Sequence, residues 1–386
     1  MTKKQAINED QIAGLPFDSS AMANDLRTWV EIESPTHDPV AVNRMMDRAR
    51  HDLSVAGART ERISVGAGFG DCVLGRFGHP HADVPGILIL GHMDTVHPVG
   101  TLRDFPWREE DGKAYGPGVL DMKSGNYLAL EAVRQLKRAD IQTPLPVTVL
   151  FTSDEEVGSP ACRALIEAEA ARHAHVLVPE PARRNAGVVT GRYAIARFRL
   201  TAHGRPSHAG RMLGEGASAI REICHQVIAI EALTEPEATY SVGIIRGGEW
   251  VNCVTTTCHA EVLVAATTDA GLEEAVERLS NLAPVNDAVR LEVVRGVTRP
   301  VWEPTTASWK LYEHAARLAD KLGFEIIAQS SGGGSDGNFT GAMGLSTLDG
   351  LGARGDWPHT LEEHIVIDSL AERGRLLAAI LATIET

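Results

Sequence analysis

His92 and Asp94 follow directly on an apolar run, Gly86-Ile87-Leu88-Ile89-Leu90, so a histidine and a carboxylate stand at the tip of what reads as a buried strand. Two residues apart on a strand, they point to the same face. One can ligate a metal while the other holds the imidazole in one tautomer. Three more acidic clusters stand where other strands or turns should end. They are Asp121, in Gly116-Pro117-Gly118-Val119-Leu120-Asp121-Met122-Lys123-Ser124-Gly125; Asp154-Glu155-Glu156; and Glu180, in Pro179-Glu180-Pro181. Taken singly, each has an ordinary reading as a solvated turn or a hydrogen-bonded residue. Their repetition at strand ends points to metal-assisted chemistry. Mixed histidine and carboxylate ligation suits zinc, and also manganese or cobalt.

Clusters this far apart in sequence need a fold that gathers them. Asp38-Pro39 reads as an N-cap followed by proline at the first helical position, opening a helix over 38–53. Residues 86–90, 146–151 and 176–178 read as buried strands, with helical spacing over 127–136 and 160–171 between them. This alternation predicts an α/β fold: a mixed, mostly parallel sheet flanked by helices. In such sheets ligands collect in the crevice outside the carboxyl ends of the strands, which lets the four clusters converge. The pattern changes near residue 191. Strands over 193–202, 239–245, 256–265 and 289–294, with helices over 217–232 and 272–282, give a β-α-β-β-α-β order. Arg197 and Arg199 alternate with apolar neighbours there, as on an antiparallel strand with one wet face. After Arg299-Pro300 the α/β character returns, with helices over 309–322 and 369–384. The expected organisation is a catalytic domain in two parts, 1–190 and 301–386, around an inserted α+β domain, 191–300.

The 386 residues carry a formal charge of −14, which argues against nucleic-acid or acidic-membrane partners. The five cysteines form no CxxC pair, so neither a disulfide framework nor a thiolate zinc site is indicated. The first ten residues lack an apolar signal core, and no apolar run is long enough to span a bilayer. The expectation is a cytoplasmic enzyme, with export left open should a signal peptide have been removed. Gly66-Ala67-Gly68-Phe69-Gly70-Asp71 breaks the GxGxxG pattern at its last position, against a dinucleotide enzyme.

Taken in order, the motifs resemble those of the M20 family of dinuclear zinc peptidases and deacylases, which includes glutamate carboxypeptidases and acetylornithine deacetylases. The stretches are Gly91-His92-Met93-Asp94-Thr95-Val96, Gly116 to Gly125, Thr152 to Ser159, Pro179-Glu180-Pro181, His203-Gly204-Arg205-Pro206-Ser207-His208-Ala209-Gly210, Gly332-Gly333-Gly334-Ser335-Asp336 and Pro358-His359-Thr360-Leu361-Glu362-Glu363. The resemblance implies two divalent ions, zinc first and manganese or cobalt next. His92, Asp121 and Glu180 hold one ion; Asp121, Glu156 and His359 hold the other, with Asp121 bridging. A metal-bound hydroxide attacks the amide, Glu155 is the general base, and Asp94 orients His92. The resemblance also implies a non-proline cis peptide at Asp121-Met122. The physics agrees with this division, since side chains of adjacent residues diverge and one glutamate can ligate while the other stays free as a base. The inserted domain is implied to be a lid and dimerisation domain, with His208 reaching a partner subunit's active site as an oxyanion donor. Asn252, Gly333 and Gly334 are implied substrate contacts.

One departure bears on specificity. Family peptidases carry a lid-strand arginine that grips the substrate carboxylate. Here the strand reads Cys258-His259-Ala260-Glu261-Val262-Leu263-Val264-Ala265-Ala266, with Ala265 or a neighbour in that place. Arg299 is the expected substitute, with Arg192 and Arg246 as others. The reaction expected is hydrolysis of a C–N amide bond in a small N-acyl amino acid, dipeptide or related amide. The alternatives are a specialised aryl-amine or amide hydrolase on the same site, and a non-catalytic small-ligand-binding homologue.

Overall fold

A computed structural model describes residues 9–386. The chain divides into two units. One takes the chain up to Gly191 together with Glu303–Ser330 and Ser335–Thr386; the other takes Arg192–Trp302 with Ser331–Gly334.

The first unit is built on a six-stranded sheet in the order Ala58–Ile63, Cys72–Phe77, Val147–Thr152, Gly86–His92, His173–Leu177, Ser346–Leu348. The last four run parallel and the first two antiparallel to their neighbours. Gly86–His92 is buried at every position. Ile87 and Ile89 enter a core with Trp29, Leu128 and Leu377. Leu88 and Leu90 enter another with Leu150, Ile166 and Phe339. Apolar packing on both faces is why the sequence shows no alternation here. It also fixes the register, because a one-residue slip would exchange the two faces. In that register His92 pairs with Thr152, so the Asp154-Glu155-Glu156 turn begins beside His92.

The helix Ser124–Arg138 comes close to these strand ends, and two glycines permit it. A Cβ on Gly91 would lie 1.9 Å from the Asn126 side-chain oxygen, and one on Gly125 would lie 1.7 Å from the Pro179 carbonyl. Asp121, just before this helix, is thereby brought to both His92 and Glu180. At the far end of the chain the helix Asp368–Thr383 buries Arg373 completely. Its guanidinium donates to the carbonyls of Gly350 (2.6 Å), Gly352 (3.1 Å) and Ala186 (3.3 Å). The Gly352 amide in turn donates to the Glu180 carbonyl at 2.8 Å, which fastens the Glu180 segment.

The second unit is a four-stranded antiparallel sheet in the order Ala238–Gly247, Thr257–Ala266, Ala194–His203, Arg290–Arg299, with helices Ala219–Glu231 and Asp269–Ser280. Phe198, Leu200 and Ala202 face its core, and Arg199 faces outward, paired with Glu261 at 2.8 Å. The β-α-β-β-α-β order is as read.

Three features go beyond the sequence reading. The helix Ser19–Val30 was not foreseen, although Asp18 caps it by accepting the amides of Ser20 and Ala21. The antiparallel pair Ala58–Ile63 and Cys72–Phe77 extends the main sheet. A small sheet of Gly355–Asp356, His364–Val366, Lys113–Tyr115 and Arg108–Glu110 frames the turn that carries His359. Boundaries also move: the helix after the second strand is Arg163–Ala170, because Asp154 accepts the Ala161 and Cys162 amides in a turn before it, the third strand is His173–Leu177, and the strand read over 289–294 is Arg290–Arg299. Among the described residues no helix is long and apolar enough to cross a membrane.

Candidate active site

His92 is almost wholly buried. Its Nδ1 lies 2.9 Å from the Asp94 carbonyl oxygen, which can only accept, so Nδ1 carries a proton and donates. This differs in detail from the sequence expectation: the Asp94 carboxylate is the farther partner, at 3.4 Å. That carboxylate has further tasks. It accepts the Thr36 hydroxyl at 2.7 Å and the amides of Glu155 and Glu156, each at 3.2 Å. Asp94 therefore holds His92 and the Glu155-Glu156 turn together.

The other imidazole nitrogen faces carboxylates. His92 Nε2 is 3.2 Å from Asp121, 3.7 Å from Glu180 and 3.8 Å from Glu155. Asp121 follows the left-handed Gly118, and its peptide bond to Met122 is cis. Its second oxygen is 3.2 Å from His359 Nε2, and His359 Nε2 is 3.2 Å from Glu156. Two groups thus share Asp121: His92, Asp121 and Glu180; and Asp121, Glu156 and His359. Within each, the donor atoms lie within 4.8 Å of one another. Glu155 sits on the short turn Glu155–Val157 outside both groups, its carboxylate turned toward His92.

Four carboxylates and two imidazoles, all but the half-exposed His359 largely buried, strain each other's ionisation. Burial, and then the charge of Asp121, push Glu156 up to about 8 and hold Glu180 well above the carboxylate range. Burial also works to raise Asp121, but hydrogen bonds from His359 and His92 hold it well below its ordinary value. Bonds to Asp121 and Glu156 lift His359 to about 11. Burial opposes charge on His92, yet its bonds to Asp121 and Asp94 carry it well above the usual imidazole value.

These shifts set the site's share of the pH response of the metal-free protein. Glu156 and Glu180 keep their protons in the fold at pH values where the unfolded chain has lost them, so rising pH favours unfolding. The stabilisation from His359 is complete below the ordinary imidazole pKa and fades as pH climbs toward about 11, the same sign. Asp121 contributes stability that is lost only in acid, outside this window. Lys123, which burial lowers to about 7, and His173 and His175, which burial also lowers, act in the opposite sense, so the site's share is read by difference: the melting temperature of chelator-treated wild type minus that of Glu156→Gln is expected to fall from about pH 5 to about pH 9, and divalent ions are expected to reverse the trend. A difference that is flat or rising over that range contradicts the assignment.

In the second unit, His208 and Asn252 lie on adjoining segments: Ala209 donates to the Asn252 carbonyl at 3.0 Å, and Val254 to the Ser207 carbonyl at 2.9 Å. Both side chains are exposed. His208 Nδ1 accepts the Gly210 amide at 3.2 Å, which leaves Nε2–H as a donor. Arg299 and Arg192 are buried against the glycine loop. Arg192 donates to the Gly333 carbonyl at 2.7 Å, and a Cβ on Gly334 would come within 2.6 Å of the Arg299 side chain. Arg246 is exposed on the outer strand. Ala265 is buried. Trp302 is a core residue, and Trp250 is exposed.

Several supporting residues escaped sequence reading. Thr36 holds Asp94, and Asn126 donates to the His92 carbonyl at 2.6 Å. Glu363 lies in a stretch that sequence reading singled out without giving this residue a role, and its carboxylate accepts the Asp121 amide at 3.0 Å. No local pattern could reveal such contacts, because the partners lie 34 to 242 residues apart.

A sheet flanked by helices gathers imidazoles and carboxylates beyond its strand ends, the donor types that a divalent ion takes. A model of peptidase family M20/M25/M40 matches residues 88–383, and the chain belongs to that family. It is similar to carboxypeptidase G2 of Pseudomonas sp. (strain RS-16), 29% identical over 370 residues that cover 93% of this chain and 88% of that one. Acetylornithine deacetylase of Myxococcus xanthus is 27% identical over 260 residues, 64% of each chain. The solved structure of human carnosine dipeptidase 1 shares the fold, with a TM-score of 0.77 at 17% identity, covering 97% of this chain and 99% of that one. The protein is thus a hydrolase of peptide or amide bonds, in a family whose metallopeptidases use metal ions.

Proposed function

We propose that the protein hydrolyses the C–N amide bond of a small N-acyl amino acid or dipeptide, in the manner of a carboxypeptidase or deacylase, with two divalent ions, zinc first. The carrying observation is the pair of donor groups sharing Asp121, with Glu155 beside them but in neither. The donor spacing fits metal. Ligand atoms each about 2.0 Å from a tetrahedral ion stand about 3.3 Å apart. Here the contacts of Asp121 with both imidazoles, and of His359 with Glu156, are 3.2 Å. The charge balance fits as well, since cations offset the mutual repulsion that raises Glu156 and Glu180. In this reading His92, Asp121 and Glu180 hold one ion, and Asp121, Glu156 and His359 the other.

When bound, the ions polarise the scissile carbonyl and acidify the attacking water. Glu155 takes the proton of that water and delivers it to the leaving nitrogen. Asp94 keeps His92 in the tautomer whose Nε2 is free to ligate, and fixes the Glu155 backbone. The second unit serves as lid and dimerisation domain. Its outer strand Ala238–Gly247 exposes Ile244 and Ile245, and the helix Ala219–Glu231 exposes Ile228, surface that a second copy would cover. His208 of the partner subunit donates Nε2–H to the tetrahedral oxyanion, and Asn252 contacts substrate. Buried Arg299, with Gly333 and Gly334, forms the carboxylate cradle that replaces the missing lid-strand arginine.

The test is a panel of dipeptides, N-acyl amino acids and aryl amides incubated with metal-replete enzyme and read by mass spectrometry. Cleavage is expected for members with a free α-carboxylate, lost with chelator and regained with zinc, manganese or cobalt. Turnover that survives exhaustive chelation sinks the reading. Equal turnover of substrates lacking the carboxylate favours instead the aryl-amide reading, which the buried Ala265 supports.

A further inference from the structure

Glu363 is almost entirely buried, and its two carboxylate oxygens are met by four donors. One oxygen accepts the amides of Leu120 at 2.8 Å and Asp121 at 3.0 Å. The other accepts the Gly118 amide at 3.0 Å and lies 2.8 Å from His97 Nε2. A carboxylate offers about four lone-pair sites, so this one is saturated. A charge so buried is tolerated only when its hydrogen bonds are made, and here three of them come from one backbone loop.

That loop carries the aspartate shared by both donor groups. Glu363 itself lies four residues beyond His359, on the turn that leads into the strand His364–Val366, whose pairing with Lys113–Tyr115 anchors it. His97 belongs to the segment that runs on from His92 and Asp94. One carboxylate therefore joins three ligand-bearing segments without touching a ligand side chain. Glu180 has its own anchor in Gly352, and His92 is fixed by its strand and by the Asp94 carbonyl. Glu363 touches both groups through the Asp121 loop, but it reaches His92 only by way of His97, five residues further on, and His92 has the separate anchors just named; His359 is the member that Glu363 joins to Asp121 most directly.

We propose that Glu363 is a positioning residue that sets the separation of Asp121 and His359, and thereby the affinity for the ion those two share with Glu156. The inference rests on the metal-binding reading above. Glu363→Gln replaces one acceptor oxygen by a donor that opposes the backbone amides. Titration calorimetry of zinc into chelator-treated full-length protein is expected to show one of two binding steps weakened about 10- to 100-fold and the other changed by less than about threefold. The cobalt-substituted absorption spectrum is expected to change in the same single component. Glu363→Asp keeps the charge on a shorter arm and is expected to fall between wild type and Glu363→Gln. A folded Glu363→Gln variant with both affinities unchanged overturns the proposal while leaving the metal reading intact. Equal weakening of both steps, or failure of both variants to fold, makes Glu363 a general structural residue and overturns it too. A wild type that takes up fewer than two ions overturns the metal reading, and this proposal with it.

Discussion

Glu155→Gln is expected to bind metal as the wild type does and to lose about 10²- to 10⁴-fold in kcat, the usual contribution of a positioned general base. The expectation follows from placement. Glu155 belongs to neither donor group. Its backbone amide is held by Asp94, and its side chain is only 10% exposed, so the carboxylate has little freedom to point elsewhere. The amide variant has nearly the same size and shape and cannot accept a proton at neutral pH. KM is expected to stay within about threefold, because the residue acts in the transition state and not in ground-state binding. Metal analysis beside steady-state kinetics checks both halves. Retention of more than a tenth of wild-type kcat, or loss of metal with the variant, refutes the assignment.

Asp121→Ala is expected to be the more damaging substitution, because it removes a donor from both groups at once. Both imidazoles lean on this carboxylate at 3.2 Å. An outer partner of a metal ligand costs about 10- to 100-fold in affinity when lost, and a shared inner ligand is expected to cost more at each position. Turnover is then expected to fall below that of Glu155→Gln at any practical metal concentration. The variant also deprives His359 of the largest cause of its raised pKa, so its titration is expected to fall back toward the ordinary imidazole range. Metal content after desalting, and imidazole resonances followed by NMR against pH, read these effects separately. A desalted Asp121→Ala protein that still carries two ions removes the bridge from the mechanism.

The contrast between these residues shows how far the sequence reaches. Residues 86–90 and 146–151 were legible as strands because each packs apolar side chains on both faces, and such strands read as unbroken apolar runs. Asp38-Pro39 was legible as a helix start because capping chemistry is local, and Asp38 does accept the Ala41 amide at 2.9 Å. The strands framing His359 were not legible, since Gly355–Asp356 and His364–Val366 are two and three residues long and carry no period. Gly355–Asp356 pairs with His364–Val366, and that strand pairs in turn with Lys113–Tyr115, far earlier in the chain.

By itself the sequence determined the alternating strands and helices, the β-α-β-β-α-β order of the inserted segment, and the residue types that stand at strand ends. Those depend on side-chain period and on local backbone preference, which neighbouring residues settle among themselves. Tertiary structure decided what each of those residues faces. It turned the Asp94 carboxylate toward the Glu155 and Glu156 amides while giving His92 the Asp94 carbonyl. It also put Glu363 beneath the Asp121 loop, 242 residues away. Such contacts are made by backbone amides and buried charges, whose partners are chosen by how the chain packs and leave no pattern in the order of its residues.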